Sequence, residues 1–209
     1  SCNGDTFGRH DGLYYVPCGV SHKVERNNNV YNQIIRISSV MAVALRLLAI
    51  MLLKAGPQHL PYSMPLLGIL TVLYLATGVL VLATSMSTGQ AIANLMLDVA
   101  VLFAFSYFCL SVLKLKARLV QMVSALTGIG AMYHLLAWPL FTQLHQMQPE
   151  HQGVTIVALL MLLLISWQVL VFAHIFRYAM QMSMLRGLIL SFGYLFLSIA
   201  VADIFFSGS

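Results

Sequence analysis

A few polar side chains inside long apolar runs are the residues of this chain that could do chemistry. They are Arg46, Asn94, Asp98, His134 and Asp203. Asn94 and Asp98 are four residues apart, so a helix presents them on one face, one turn from each other. Ionisable residues within membrane spans commonly form proton relays and ion pathways. The sequence therefore predicts a polar pocket or a proton-linked site built from these five residues.

A purely structural role is the alternative explanation of the same side chains. Asp98 would then pair with Arg46 or His134 to fix helix packing, because polar side chains commonly join helices within a membrane. Asp203 lies close to the end of the last apolar run and would reach water at the lipid headgroups. Both explanations stay open at the level of the sequence.

A second group of potential ligands lies near the N-terminus, where Cys2, His10, Cys18 and His22 have the spacing C-x7-H-x7-C-x3-H. These residue types suit tetrahedral zinc, but the first two spacings are not those of a zinc finger or ribbon. A disulfide between Cys2 and Cys18 is the alternative if this segment lies in an oxidising compartment, and free thiols are expected in the cytoplasm. We expect no bound cofactor.

Common catalytic motifs are missing from the sequence. It contains no G-x-S-x-G elbow, no H-E-x-x-H, no P-loop and no G-x-G-x-x-G, each of which places reactive groups at a fixed spacing. We therefore expect a protein that is not an enzyme. The net charge of +5 is not gathered into a basic run, so we expect no nucleic-acid partner either.

The composition indicates which solvent surrounds the protein. Of 209 residues, 60% are hydrophobic and only 8% are charged, whereas soluble domains carry about 25% charged residues. A surface with so few charges must be solvated by a lipid bilayer. The predicted fold class is an all-α integral membrane protein, a compact bundle of five to six transmembrane helices with a short irregular N-terminal tail.

The apolar runs define the helices that must position the polar residues. A spanning helix needs about 20 mainly apolar residues. The predicted spans are 62–84, 91–113, 119–142, 154–176 and 186–206, within a polytopic domain covering 34–209. Segment 37–53 is shorter and has Arg46 at its middle, so we favour an interfacial or half-inserted position over a sixth span.

Residues 1–33 form a separate polar segment. Gly and Asn recur in it, and both tolerate the left-handed backbone conformation found in turns. The segment is too short to bury a core of its own. We predict a turn-rich tail, whose side of the membrane depends on whether 37–53 spans.

Lys and Arg are distributed unevenly among the loops. They occur around 114–118 and 177–186 but are absent from 85–90 and 143–153. Since basic loops favour the cytoplasm, the first two loops are predicted inside and the C-terminus outside. The short loops favour the cytoplasmic (inner) membrane of a bacterium.

Small residues at helical spacing indicate close helix packing in the fourth predicted segment. They are Ser124, Thr127, Gly128 and Ala131. Small residues three or four apart let two helix backbones approach closely in lipid. The pattern predicts that another helix, from this chain or from a partner, packs on this face.

Two classes of function remain. The small size, the polar tail and the missing motifs favour a non-enzymatic accessory, scaffold or assembly subunit, which binds other membrane proteins or a second copy of itself. The alternative is a small transporter or channel that uses Asp98, His134 and Asp203, together with Arg46 if its segment is buried. Asp98 and His134 are the residues whose replacement would distinguish the two.

Overall fold

The computed structural model describes residues 40–146 and 152–206. Within these ranges the chain forms six α-helices and two short 3-10 turns, without a β-strand. The helices are α1 (Val40–Met51), α2 (Met64–Leu82), α3 (Thr88–Val112), α4 (Leu119–Gln146), α5 (Gln152–Met180) and α6 (Met184–Phe206). The polar tail, with Cys2, His10, Cys18 and His22, lies outside the described residues.

Five of these helices, α2 to α6, are long and apolar enough to cross a membrane. The prediction of an all-helical chain with five such segments is therefore confirmed for the part of the chain that the structure describes. The described helix α1 is shorter than a span. Arg46 on α1 is exposed, and its Nη1 donates to the His59 carbonyl at 2.8 Å.

Local hydrogen bonds explain where several helices begin and end. Ser87 Oγ accepts from the Gln90 N–H at 3.4 Å, and this N-cap starts α3 before the predicted residue 91. Helices α1, α3 and α5 are each followed, one or two residues after their last residue, by a residue with positive φ, namely Leu53, Lys114 and Gln181. The next N–H bonds back five residues in each case, which is the Schellman arrangement.

Helix α4 is the central element of the helical bundle. In its most apolar stretch 67% of the residues are buried, against 28% or fewer in the other four long helices. Its predicted small-residue face, with Ser124, Thr127, Gly128 and Ala131, is buried within the chain. A Cβ at Gly128 would lie 2.9 Å from Leu47 Cδ2, so α1 packs on this face.

Helices α5 and α6 meet at one very close crossing. A Cβ on Gly187 of α6 would collide with the backbone carbonyl of Ala173 on α5. One turn further on, the Ser191 hydroxyl donates to the Val169 carbonyl at 2.9 Å. The glycine permits the approach, and the serine hydrogen bond spans the same interface.

Candidate functional site

Asp98 is the centre of a polar cluster formed by three helices. Its Oδ2 accepts a hydrogen bond from the Tyr74 hydroxyl at 2.5 Å. Its Oδ1 accepts from the Tyr194 hydroxyl at 2.9 Å and from the Ser198 hydroxyl at 2.5 Å. The carboxylate is thus held by three hydroxyl groups from α2 and α6, all of them uncharged.

The cluster lies near the middle of each contributing helix. With a rise of about 1.5 Å per residue, Asp98 lies roughly 15 Å from the start of α3 and roughly 21 Å from its end. Tyr194 is about 15 Å from the start of α6 by the same measure. A helix that crosses a bilayer would therefore hold this acid well away from either headgroup layer.

His134 on α4 extends the cluster beyond the carboxylate. Its ring centroid lies 4.6 Å from that of Tyr74, with an interplanar angle of 41°. Its Nδ1 lies 3.4 Å from the Thr77 hydroxyl oxygen, which also bonds to backbone carbonyls within α2. Tyr74 therefore contacts both ionisable groups, the carboxylate through its hydroxyl and the imidazole through its ring.

A cavity of about 310 Å³ extends from Asp98 toward the C-terminal end of α2. Its polar lining comes from Asn94, Asp98, His134 and Ser198, and its apolar lining includes Val81, Leu82, Ile199 and Ala202. Gly78 also borders it, where a Cβ would lie 2.6 Å from Leu95 Cδ2 and 3.0 Å from His134 Cε1. The glycine thus leaves space for both the Leu95 side chain and the imidazole.

The structure brings three of the five predicted polar residues together. Asn94, Asp98 and His134 line the same cavity. Asp203 is exposed on α6 and does not line it, and Arg46 is hydrogen-bonded to a loop carbonyl instead. Among the described residues, the hydrogen-bond donors to Asp98 are the hydroxyls of Tyr74, Tyr194 and Ser198, and neither Arg46 nor His134 bonds to it.

The hydroxyl partners of Asp98, namely Tyr74, Tyr194 and Ser198, are not among the site residues predicted from the sequence. The sequence contains a signal for two of them, since Tyr194 and Ser198 have the same four-residue spacing as Asn94 and Asp98. Polar residues four apart in each of two spans indicate that the two helices pack with these polar faces together. The signal is weak because tyrosine and serine also occur as ordinary packing residues in membrane helices.

Metal ligation finds no support in the described part of the chain. Across 40–146 and 152–206, no three His, Cys, Asp or Glu side chains come together in the manner of a metal site. The ligand chemistry available at Asp98 is instead that of carboxylate, phenol and serine oxygens, with an imidazole nearby. Such oxygens bind protons, small monovalent cations and ammonium groups.

Comparison with protein-family models, curated proteins and solved structures finds no match to this chain. The fold and the site are therefore the only observations from which the class of protein is inferred. Five helices of membrane-spanning length and apolarity define it, together with an acidic side chain in the middle of one of them.

Proposed function

We propose that this chain is a multi-pass integral membrane protein that carries a proton or a small cation across the bilayer by way of Asp98. One observation carries the proposal. A mid-helix carboxylate, hydrogen-bonded only to uncharged hydroxyls among the described residues, lines a cavity of about 310 Å³. No covalent step is needed, in keeping with the expectation that the protein is not an enzyme.

The electrostatics of Asp98 explain why a positive charge would bind there. Hydrogen bonds from three hydroxyls stabilise the ionised carboxylate, but they leave its net charge uncompensated. An uncompensated charge at the depth of the hydrocarbon core is unfavourable, even where a cavity opens on one side. A proton, Na⁺ or an ammonium group that enters the cavity removes this cost, and its later release restores it. Alternate loading and release of this kind is what a transporter requires.

The surroundings of the carboxylate limit what can bind. The walls of the cavity toward the C-terminal end of α2 are mainly apolar. The Tyr74 ring and the neighbouring His134 ring supply aromatic surface beside the carboxylate, and aromatic faces attract cations. The site therefore favours a proton, a small inorganic cation or a small amine over an anion.

The basic residues set the orientation in this proposal. Lys114, Lys116, Arg118, Arg177 and Arg186 all lie at the ends of helices opposite to the mouth of the Asp98 cavity. With the basic loops in the cytoplasm, the cavity opens outward and the C-terminus is outside. We keep the bacterial inner membrane as the proposed location.

An accessory or assembly subunit is the second candidate function. An apolar groove of about 630 Å³ between α4 and α5, lined by Leu136, Pro139, Leu163 and Trp167 among others, favours it. A helix of another subunit would fit such a groove. The small-residue face around Gly128, however, is covered by the chain's own α1 and α2, so it is not offered to a partner.

Ion flux into liposomes tests the primary proposal. The full chain is reconstituted, a K⁺ diffusion potential is imposed, and proton or Na⁺ entry is followed with trapped indicator dyes. We expect flux above that of protein-free liposomes, and a loss of about tenfold or more in Asp98→Asn, since one lost charged contact is worth about 1.5–3 kcal/mol. Asp203→Asn removes an exposed acid and serves as the matched control.

Two results would overturn this proposal. One is flux no greater than that of empty liposomes for both ions and for methylamine. The other is an Asp98→Asn variant that transports as fast as the unmodified chain. A stoichiometric membrane protein that co-purifies in mild detergent or nanodiscs, together with absent flux, would establish the accessory role instead.

A further inference from the structure

The end of the helices that carries the basic residues has a second cavity, of about 420 Å³. It is lined by Gln58, Arg118, Arg177, Tyr178, Gln181 and Met182. Two guanidinium groups and two side-chain amides thus face one space, and no carboxylate is in the lining. Because like charges repel, this arrangement is stabilised when an anion lies between them.

Arg118 is a fixed charge in this cavity. Its Nη1 donates to the Tyr178 and Ala179 carbonyls at 3.4 and 3.3 Å. The Gln181 side chain, oriented with its carbonyl oxygen toward the guanidinium, accepts from Nη2 at 2.8 Å. These acceptors are the last carbonyls of α5 and an amide, so they hold the guanidinium in place without a formal negative charge.

Arg177 supplies the more available donors. Its side chain is exposed, and its guanidinium carbon lies 5.3 Å from the centre of the Tyr178 ring. A contact between a guanidinium and an aromatic ring orients the group but uses none of its N–H donors. Arg177 is thus oriented beside Arg118 with N–H groups available to a ligand.

We propose that this cavity binds a phosphate group, carried by an anionic phospholipid headgroup or free in solution. Guanidinium groups match the spacing of phosphate oxygens and donate two parallel hydrogen bonds to them. The cavity lies where α5 ends, and the ends of membrane-spanning helices lie at the level of the headgroups. This inference stands independently of the cation site, which lies in the middle of the helices.

Binding measurements on the full chain in a neutral detergent test the inference. Phosphatidylglycerol, phosphatidylcholine and inorganic phosphate are titrated separately, with native mass spectrometry counting the bound molecules. Arg177→Gln removes the available guanidinium without touching the α5 carbonyls. Arg186→Gln is the matched control, because it removes the same charge from an exposed position at the same end, outside the cavity lining.

We expect phosphatidylglycerol or inorganic phosphate to bind more tightly than phosphatidylcholine, and Arg177→Gln to weaken that binding about tenfold. Arg186→Gln should change it less than twofold. If Arg177→Gln weakens the binding of phosphatidylglycerol but inorganic phosphate does not bind, the cavity is a headgroup site. If Arg177→Gln weakens the binding of inorganic phosphate as well, the cavity is a site for the free ion. An equal loss of affinity in Arg177→Gln and Arg186→Gln would show general attraction to a basic surface and would overturn the inference. Equal binding of all three probes, or binding of none of them, would overturn it as well.

Discussion

Tyr74 and Asp98 are joined by a 2.5 Å hydrogen bond between two helices, from the phenol hydroxyl to Oδ2. The same Tyr74 ring lies against Gly130 on α4 and 4.6 Å from the His134 ring. One side chain therefore contacts the acid, the imidazole and the backbone of α4 at Gly130. The geometry of the candidate site depends on the packing of the central helix.

Gly130→Ala should disturb the site without touching any polar residue. The new Cβ would lie 2.5 Å from Tyr74 Cε2, so the ring must move and its bond to Asp98 must weaken. We expect a loss of about 1–3 kcal/mol in the free energy of unfolding, typical of overpacking, together with slower ion flux. Denaturant titration in detergent measures the first quantity and the liposome assay the second.

The control for this substitution is Gly193→Ala on α6, where a Cβ meets nothing within 4 Å. It should leave flux unchanged, because it adds the same methyl group to open space. If Gly130→Ala also transported normally, the proposed dependence of the cation site on the Tyr74 ring would be wrong.

Replacing Asp98 by alanine should be worse for stability than replacing it by asparagine. Alanine leaves the hydroxyls of Tyr74, Tyr194 and Ser198 without their common acceptor. An asparagine carbonyl oxygen in place of Oδ1 can still accept from Tyr194 and Ser198, and its NH2 group can donate to the Tyr74 oxygen. Each orphaned buried donor costs about 1–3 kcal/mol. We expect Asp98→Ala to lower the unfolding midpoint well below that of Asp98→Asn, as measured by thermal unfolding in detergent.

The opposite order of stabilities would show that the carboxylate is not held by these hydroxyls. A result in which both variants match the unmodified chain would lead to the same conclusion. Asp203→Asn again controls for the loss of one negative charge, because the Asp203 side chain is exposed.

The sequence alone predicts most of the fold because hydrophobicity is a local property. The length of an apolar run defines a spanning helix without reference to any other part of the chain. Asn94 and Asp98 could be placed together for the same reason, since both lie on one helix. Their spacing fixes a shared face, and the structure finds both at one cavity.

The sequence alone does not specify which side chains meet between helices. The approach of Tyr74 to Asp98 depends on how α2 rotates against α3, and Tyr194 arrives from a helix almost 100 residues further on. Arg46 lies at the middle of an apolar run, and the sequence leaves open whether its segment spans or lies in the interface. Its Nη1 donates to the carbonyl of His59 in the 3-10 turn that follows α1, a contact that no hydropathy pattern reveals.

Gly187→Ala should destabilise the chain more than Gly128→Ala, although both glycines lie at helix crossings. At Gly187 the added methyl meets the backbone of Ala173, which cannot move without shifting α5. At Gly128 it meets the end of the flexible Leu47 side chain, 2.9 Å away. We expect about 1–3 kcal/mol of destabilisation at Gly187 and less at Gly128, measured as a shift in unfolding midpoint. Equal shifts of the unfolding midpoint in the two variants would contradict this expectation.

Lys114→Gly should stabilise the chain, even though it removes a side chain. Lys114 lies two residues beyond the end of α3 and has a φ of 57°. The following N–H, from Leu115, bonds to the Leu110 carbonyl at 2.8 Å. A side chain in this left-handed conformation costs about 1 kcal/mol, whereas glycine adopts it without steric strain. Because glycine also loses more conformational freedom on folding, the expected net gain in the free energy of unfolding is roughly 0.5 kcal/mol.

The control is Lys114→Ala, which removes the same charge but keeps the strained conformation, so it should give no gain in stability. An alanine variant as stable as the glycine variant would assign the effect to the lost charge, and thermal unfolding of both in one detergent decides between them.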